Sequence, residues 1–146
     1  MEFQFTEAQD AIRDSLNKLC AKYDADYWRR RDTEGGMPED FVAEIARAGW
    51  LGIAMPEEYG GAGLGVTEAA IMMQTIAESG AAMSGASAIH IAIFGLNPVV
   101  VFGTEDQKQR ALLPLIAGTD RACFGVTEPN AGLDTSQIET RAVRDS

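Results

Sequence analysis

The residues best suited to chemistry in this sequence are a single histidine, His90, and two carboxylates near a turn, Glu128 and Asp134. His90 lies between two isoleucines and has neither a second histidine nor a nearby acid, so it can build no catalytic triad and no metal site. We expect an interior histidine held by a hydrogen bond. Glu128 and Asp134 resemble an acid–base pair, but nothing fixes their separation. The residues alone therefore predict no catalytic group and no metal ligand.

Cysteines and clustered glycines are the other residues that often mark a reactive or phosphate-binding site. Cys20 and Cys123 match no metal-ligand or redox spacing, so we expect two reduced, buried thiols in a reducing compartment. The glycines of 60–65 fit neither the dinucleotide-binding pattern nor the P-loop pattern, because the sixth position from Gly61 is valine and no lysine is near. We interpret this segment as a flexible connection.

The net negative charge of the sequence limits the kinds of molecule that the protein can bind. The 146 residues contain 12 Lys and Arg against 22 Asp and Glu, which gives a formal charge of −10. No Lys or Arg lies between Arg47 and Lys108. Nucleic acid and anionic membrane surfaces are therefore poor partners, since nothing offsets their repulsion. With 46% apolar and 23% charged residues, the composition is that of a globular protein.

The segment 79–104 is the most apolar part of the chain and contains no charged residue in a run of 26. Four glycines, three serines, His90 and Pro98 interrupt it, and no cations flank it, so we do not expect it to insert into a membrane. We predict one or two deeply buried helices divided near Asn97 and Pro98. Such burial suggests a cover formed by other parts of the protein or by partner subunits.

Helix signals dominate the first two thirds of the sequence. Residues 6–9 form a capping box before an apolar stripe, which predicts a first helix. Pro38 can open a second helix that Gly49 ends. Thr67 is the predicted N-cap of a third helix that runs to about Ser79.

The last third changes from helix signals to strand signals. A second capping box at 104–107 opens a helix that Gly118 ends. Residues 122–127 and 138–143 have the uncharged or alternating patterns of strands, with a turn at 128–132 between them. Two strands alone are marginal, so these residues predict the start of a β-domain.

Three motifs carry a resemblance to a known family. Residues 124–134 read FGVTEPNAGLD and resemble the flavin-site signature of the acyl-CoA dehydrogenases, aromatic-x-Val-Thr-Glu-Pro-x-Ala-Gly-Ser-Asp. Residues 56–63 read PEEYGGAG and resemble the family's Pro-x-x-Tyr-Gly-Gly-x-Gly loop. Residues 97–108, from Asn-Pro to Phe-Gly-Thr-Glu-x-Gln-Lys, are similar to a third family motif at its usual distance before the signature. The resemblance covers the whole chain.

The resemblance implies a mainly α fold. Residues 1–118 would form an N-terminal helical domain of the acyl-CoA dehydrogenase type, and 119–146 would be the opening strands of an incomplete middle β-domain. It implies FAD as cofactor and dehydrogenation of an acyl-CoA thioester to a trans-2-enoyl-CoA, with hydride passing to flavin N5. The family's catalytic glutamate lies in its C-terminal part, so no catalytic residue is assigned here, and we expect the 146 residues alone to be inactive.

The resemblance also assigns binding residues within the signature. The expected cofactor contacts are Phe124, Val126, Thr127, Gly132 and Leu133. Leu133 and His90 are assigned to the substrate, because His90 falls on the helix that borders the deep end of the family's acyl pocket. Leu133 stands where many members have serine, and its side chain cannot donate a hydrogen bond, so the pyrophosphate contact must come from a backbone N–H group or from elsewhere.

Partners and alternatives follow from the same resemblance. We expect an acyl-CoA substrate, an electron-transferring flavoprotein as acceptor, a homodimer or homotetramer, and no nucleic acid partner. The N-terminus shows no signal peptide, so a cytoplasmic location is expected. Two alternatives remain open: an acyl-CoA oxidase or flavin monooxygenase of the same fold, and a helical interaction module without catalysis.

Overall fold

Seven α-helices organise residues 4–144, the part of the chain that the computed structural model describes. Short 3-10 turns lie at Trp50–Gly52, Glu57–Tyr59 and Thr135–Gln137, and the predicted mainly α class is confirmed. The helices are α1 (Glu7–Cys20), α2 (Ala25–Glu34), α3 (Glu39–Arg47), α4 (Val66–Ile76), α5 (Ala82–Phe94), α6 (Asn97–Phe102) and α7 (Glu105–Ile116).

Both predicted capping boxes are confirmed. At the start of α1, the Thr6 hydroxyl accepts a hydrogen bond from the Gln9 N–H at 3.3 Å, and the Thr6 N–H donates to Gln9 Oε1 at 3.0 Å. Thr104 and Gln107 repeat this exchange at α7, with distances of 3.3 and 2.8 Å. These side chains satisfy N–H groups that a helix start leaves free, which is why the sequence signal is reliable.

The predicted start of α4 is wrong by two residues. Gly65, and not Thr67, is the N-cap, because the Glu68 carboxylate reaches back and accepts the Gly65 N–H at 3.1 Å. The same carboxylate accepts a second hydrogen bond from Gln9 Nε2 at 3.0 Å. Glu68 therefore begins α4 and at the same time joins it to the first turn of α1.

The main core lies among α1, α3, α4 and the first half of α5. An aromatic cluster closes it on the side of α2: the Phe41 ring lies 5.2 Å from Tyr23 and 5.1 Å from Trp28, both edge to face. Trp28 Nε1 donates to the Tyr23 carbonyl at 3.1 Å, so this buried N–H is satisfied. A smaller cluster packs Tyr59 against α7.

The apolar segment 79–104 is divided where the sequence predicts, but it is not deeply buried. The segment is bent at Gly80 (φ 99°) and Ala82 (φ 47°), and a break after Phe94 separates α5 from α6. In the described residues, α5 buries three side chains or glycines and α6 buries none. A run without charged residues predicts burial, but here much of the apolar surface of the segment faces outward.

Val66–Phe102 as a whole is long and apolar enough to satisfy a length-and-composition test for a membrane span. The bends divide this stretch into helices that are each too short to cross a bilayer. The 13 residues of α5 span only about 20 Å, whereas the hydrocarbon core of a bilayer is about 30 Å thick. The absence of membrane insertion stays a prediction.

The two predicted strands are wrong for the described residues. Segments 122–127 and 138–143 form no strand in the described residues, and one isolated bridge joins Glu128 to Ala131. The reason lies in the second segment, whose N–H groups at Glu139 and Thr140 donate to the Glu128 carboxylate, both at 2.9 Å. A side chain thus takes the place of a strand partner. The domain limits 1–118 and 119–146 stay a prediction, and 1–3 and 145–146 lie outside the described residues.

Candidate functional site

An open apolar cavity of about 730 Å³ lies beside α4 and α5. Its size is within the range of sites that bind small molecules, about 300–1,000 Å³. Residues far apart in the sequence line it, including Leu64, Val66, Met73, His90, Phe94 and Phe124. Of these six residues, sequence reasoning pointed only to His90 and Phe124. The only signal of the others was large apolar side chains beside a glycine loop and on one face of a helix.

The loop that carries Leu64 to the cavity is held in place by backbone hydrogen bonds. The N–H groups of Ala62, Gly63 and Leu64 donate to the carbonyls of residues 52, 55 and 53 at 2.9, 2.8 and 3.0 Å. Gly61 is needed because a Cβ there would lie 2.1 Å from the Met55 oxygen. The interpretation of 60–65 as a flexible connection is therefore wrong: the loop forms the fixed base of the cavity rim.

Tyr59 anchors the same loop to α7. Its ring is 1% exposed, and its hydroxyl donates to Glu105 Oε2 at 2.6 Å. This hydrogen bond, followed by one from Lys108, lowers the pKa of Glu105 below its ordinary value, so the acceptor is ionised at neutral pH. A charge-assisted bond of this kind fixes the tyrosine–glycine motif without using it for chemistry.

His90 lies on α5 with its ring against the cavity. The imidazole is half-buried, and its Nδ1 is a buried side-chain atom without a hydrogen-bond partner in the described residues. The ring centroid lies 5.1 Å from that of Phe94, which in turn lies 5.9 Å from Phe124. The expected hydrogen bond of an interior histidine is therefore missing. The three rings form a continuous aromatic side of the cavity.

The residues assigned to the cofactor separate into two groups. Phe124 borders the cavity with 56% of its side chain exposed, and Val126 is half-buried beside it. Thr127, Gly132 and Leu133 are exposed beyond the cavity. The structure thus places Phe124 and His90 in the lining of one cavity, whereas Leu133 does not line it. The cofactor and substrate assignments of these residues stay predictions.

Glu128 and Asp134 use their carboxylates to hold the turn together. Glu128 accepts from Thr140 and Glu139, and these hydrogen bonds lower its pKa. Asp134 accepts from the Ser136 hydroxyl at 2.5 Å and from the Ser136 N–H at 3.1 Å, which lowers its pKa as well. Both groups are therefore ionised acceptors at neutral pH and not proton donors.

The two thiols have different environments. Cys20 is buried in the core, and burial raises its pKa. Cys123 is exposed, so the prediction of a second buried thiol is wrong. Its neighbour Ala122 packs against the smaller core cluster, whereas the Cys123 side chain lies outside it. No group of three metal-ligating side chains occurs between residues 4 and 144.

The seven helices and the open apolar cavity define a helical domain. Residues 6–119 match the family model "Acyl-CoA dehydrogenase, N-terminal domain". The chain belongs to the acyl-CoA dehydrogenase family, as the three sequence motifs predict.

Individual relatives agree with this family. The chain is 32% identical over 142 residues to the acyl-CoA dehydrogenase FadE12 of Mycobacterium tuberculosis, covering 96% of this chain and 36% of that protein. Butyryl-CoA dehydrogenase from Megasphaera elsdenii has a similar structure, with a TM-score of 0.79 and 31% identity over 93% of this chain and 36% of that one. A chain in a structure of the electron transferring flavoprotein of Acidaminococcus fermentans has a TM-score of 0.80 and 34% identity to this chain. The match covers 94% of this chain and 36% of that one. The chain thus spans just over a third of these relatives.

Proposed function

We propose that this chain forms the helical part of an FAD-dependent acyl-CoA dehydrogenase and supplies one wall of its acyl and flavin sites. The observation that carries the proposal is the cavity itself: Phe124, from the motif that resembles the flavin signature, lines the same apolar space as His90 and Met73. The reaction would remove a proton from Cα and a hydride from Cβ of an acyl-CoA, and the flavin would supply the hydride acceptor.

The residues of the signature fit an extended contact with the cofactor ring. The backbone N–H and C=O groups of Phe124, Val126 and Thr127 make no hydrogen bonds within residues 4–144. They are available to the polar edge of a ring, and the exposed Thr127 hydroxyl can donate to it as it gains charge. Gly132 and Leu133 would contact the pyrophosphate through their backbone N–H groups. The space beside Gly132 is open to such an approach, because a Cβ there would have nothing within 4 Å.

The cavity would keep water from the reacting carbons. Its lining includes aliphatic and aromatic side chains from α4 and α5 and no charged side chain in the described residues. The cavity is open on one side, so these residues cover only part of a ligand. We propose that the 146 residues alone neither retain FAD nor oxidise an acyl-CoA, because most contacts would have to come from other parts of the protein.

Partners and location are part of the same proposal. An electron-transferring flavoprotein would reoxidise the flavin, in keeping with the similarity to a chain from such a structure. A homo-oligomer would cover the apolar surface of α5 and α6. The exposed thiol of Cys123 suits a reducing, cytoplasmic location.

The product of the complete reading frame that contains this chain is the sample that tests the proposal. We expect bound FAD, and we expect an acyl-CoA to bleach the flavin absorbance under anaerobic conditions with formation of an enoyl-CoA. Peroxide produced at the same rate in air would favour an oxidase. A protein without flavin, and without acyl-CoA-dependent reduction after FAD is added, would contradict the proposal.

Thr127→Val tests the residue assignment in that protein. We expect flavin reduction to slow by about tenfold at normal flavin content, because one hydroxyl beside the ring is lost. Thr33→Val is the matched control, since the Thr33 hydroxyl bonds only the Arg29 carbonyl on α2. Equal rates in the two variants would contradict the role of Thr127.

A further inference from the structure

The turn of the flavin-signature motif is closed by a backbone pair between Glu128 and Ala131. The Glu128 N–H donates to the Ala131 carbonyl at 3.0 Å, and the Ala131 N–H donates back to the Glu128 carbonyl at 3.1 Å. Ala131 is 2% exposed, whereas Thr127 and Gly132 are exposed on either side of the pair. Thr127 enters the turn and Gly132 leaves it, so the pair brings both residues to the same end of the turn.

The side chain of the same glutamate ties this turn to a later part of the chain. Each carboxylate oxygen accepts one backbone N–H: Oε2 accepts that of Glu139 and Oε1 accepts that of Thr140, both at 2.9 Å. Glu128 thus takes part in four hydrogen bonds, two through its backbone and two through its half-buried side chain. Hydrogen bonds to an ionised acceptor are roughly twice as strong as neutral ones, so the carboxylate provides the stronger of these two links.

The Glu128 carboxylate also decides how the chain continues after the turn. Residues between 132 and 138 are organised by local bonds, such as the one from the Ser136 N–H to Asp134 at 3.1 Å, which span two or three positions. In the described residues, the hydrogen bonds that join 128–131 to the segment 132–140 are the two that this carboxylate accepts. The direction in which the chain leaves the turn at Gly132 therefore depends on one side chain.

We propose that Glu128 is a positioning residue for the cofactor: its carboxylate holds the turn in the shape that presents the Thr127 hydroxyl to the flavin ring and the Gly132 N–H to the pyrophosphate. The inference rests on the proposed function, from which it takes these two contacts. Both carboxylate oxygens are needed, because each binds a different N–H group. An amide in the same place offers one oxygen, and its NH2 group would face an N–H donor.

The test uses the product of the complete reading frame with FAD in excess, and the straight-chain saturated acyl-CoA that reduces the wild-type flavin fastest. Glu128→Gln keeps the size of the side chain and removes one of the two acceptors. We expect it to weaken FAD binding by about tenfold and to slow flavin reduction at saturating FAD by about tenfold, the effect of one lost charge-assisted hydrogen bond. Glu139→Gln is the matched control, because Glu139 contributes its backbone N–H and its side chain is exposed.

A double-mutant cycle separates positioning from a general loss of stability. Once Thr127→Val has removed the hydroxyl, its position no longer matters, so the variant with both changes should reduce flavin about tenfold more slowly than wild type. Independent effects would instead multiply to about a hundredfold. Should Glu128→Gln fail to bind FAD, Glu128→Asp takes its place in the cycle, because its carboxylate is one methylene shorter and cannot reach both N–H groups.

The outcomes distinguish this inference from the proposed function. Equal rates of flavin reduction in Glu128→Gln and Glu139→Gln, or a double variant about a hundredfold slower than wild type, would overturn the inference and leave the dehydrogenase function standing. Hydrogen exchange of the wild-type protein, measured residue by residue, needs no variant: we expect slow exchange of the Glu139 and Thr140 N–H groups, and fast exchange would also overturn the inference. If no acyl-CoA reduces the wild-type flavin, the proposed function fails and the inference fails with it.

Discussion

Phe41→Ala is expected to be among the most damaging single substitutions in the helical core. Phe41 has no exposed surface and meets Tyr23 and Trp28 edge to face. Truncation removes these contacts and leaves a cavity between α2 and α3, which rigid helices cannot fill by small shifts.

The size of the effect follows from the buried area. A phenylalanine side chain loses roughly 150 Å² of apolar surface when it becomes alanine in a core, which at about 25 cal/mol per Å² is about 4 kcal/mol. Measured losses for this kind of substitution are about 3–5 kcal/mol. A domain with a typical unfolding free energy of about 5–15 kcal/mol would lose a large part of its stability.

Urea unfolding of the chain at one low protein concentration measures this loss. Trp28 lies against Phe41 and reports the core by fluorescence, and far-ultraviolet circular dichroism reports the helices. Phe102→Ala is the matched control, because Phe102 is 85% exposed and its loss should change the unfolding free energy by less than about 0.5 kcal/mol. A loss below about 1 kcal/mol for Phe41→Ala, or equal losses for both variants, would refute this account of the core.

Three further predictions concern pH, association and the loop. The hydrogen bond from Lys22, followed by other partners, holds the pKa of Glu44 below its ordinary 4.5. The contribution of ionised Glu44 to the free energy of unfolding is therefore present above pH 4.5 and is lost as the pH falls through the lowered pKa of the folded state. Burial raises the pKa of Tyr27 from 10.0 to about 12, so the stabilisation by the neutral phenol is lost as the pH rises from 10 toward 12. The urea midpoint of unfolding should therefore fall at both extremes of pH. The exposed apolar surface of α5 and α6 should make the 146-residue chain self-associate, and a single 15.7 kDa species over a hundredfold concentration range in ultracentrifugation would contradict this. Gly61→Ala should lower the urea midpoint far more than Gly125→Ala, because a Cβ meets a carbonyl oxygen at the first position and nothing within 4 Å at the second.

The parts of the fold that depend on neighbouring residues could be predicted from the sequence. The capping boxes of α1 and α7 need only a side chain and a backbone N–H three residues apart, and both form as predicted. The start of α4 was misplaced because Thr67 is a good cap by residue type, whereas the Glu68 carboxylate supplies the bond and also reaches Gln9 on another helix. Local propensity does not include that distant partner.

The cavity could not be predicted, because it depends on distances between residues far apart in the chain. Met73, His90 and Phe124 come together only through the packing of α4 and α5 and the path of the chain after α7. The Tyr59–Glu105 bond spans 46 positions for the same reason. The family resemblance pointed to His90 and Phe124, while physical reasoning from the sequence alone gave His90 an internal partner that the structure lacks.

The double use of Glu68 makes two helix starts one cooperative unit. Gln9 closes the capping box of α1 with its amide oxygen and donates to Glu68 with its amide nitrogen, while Glu68 holds the first N–H before α4. Gly65, which is the N-cap of α4, and Val66, the first residue of that helix, both line the apolar cavity. Fraying of α1 would therefore break the hydrogen bond between Gln9 and Glu68 and weaken the N-cap of α4. The cavity rim at Gly65 and Val66 would then become less ordered, although no other lining residue has changed.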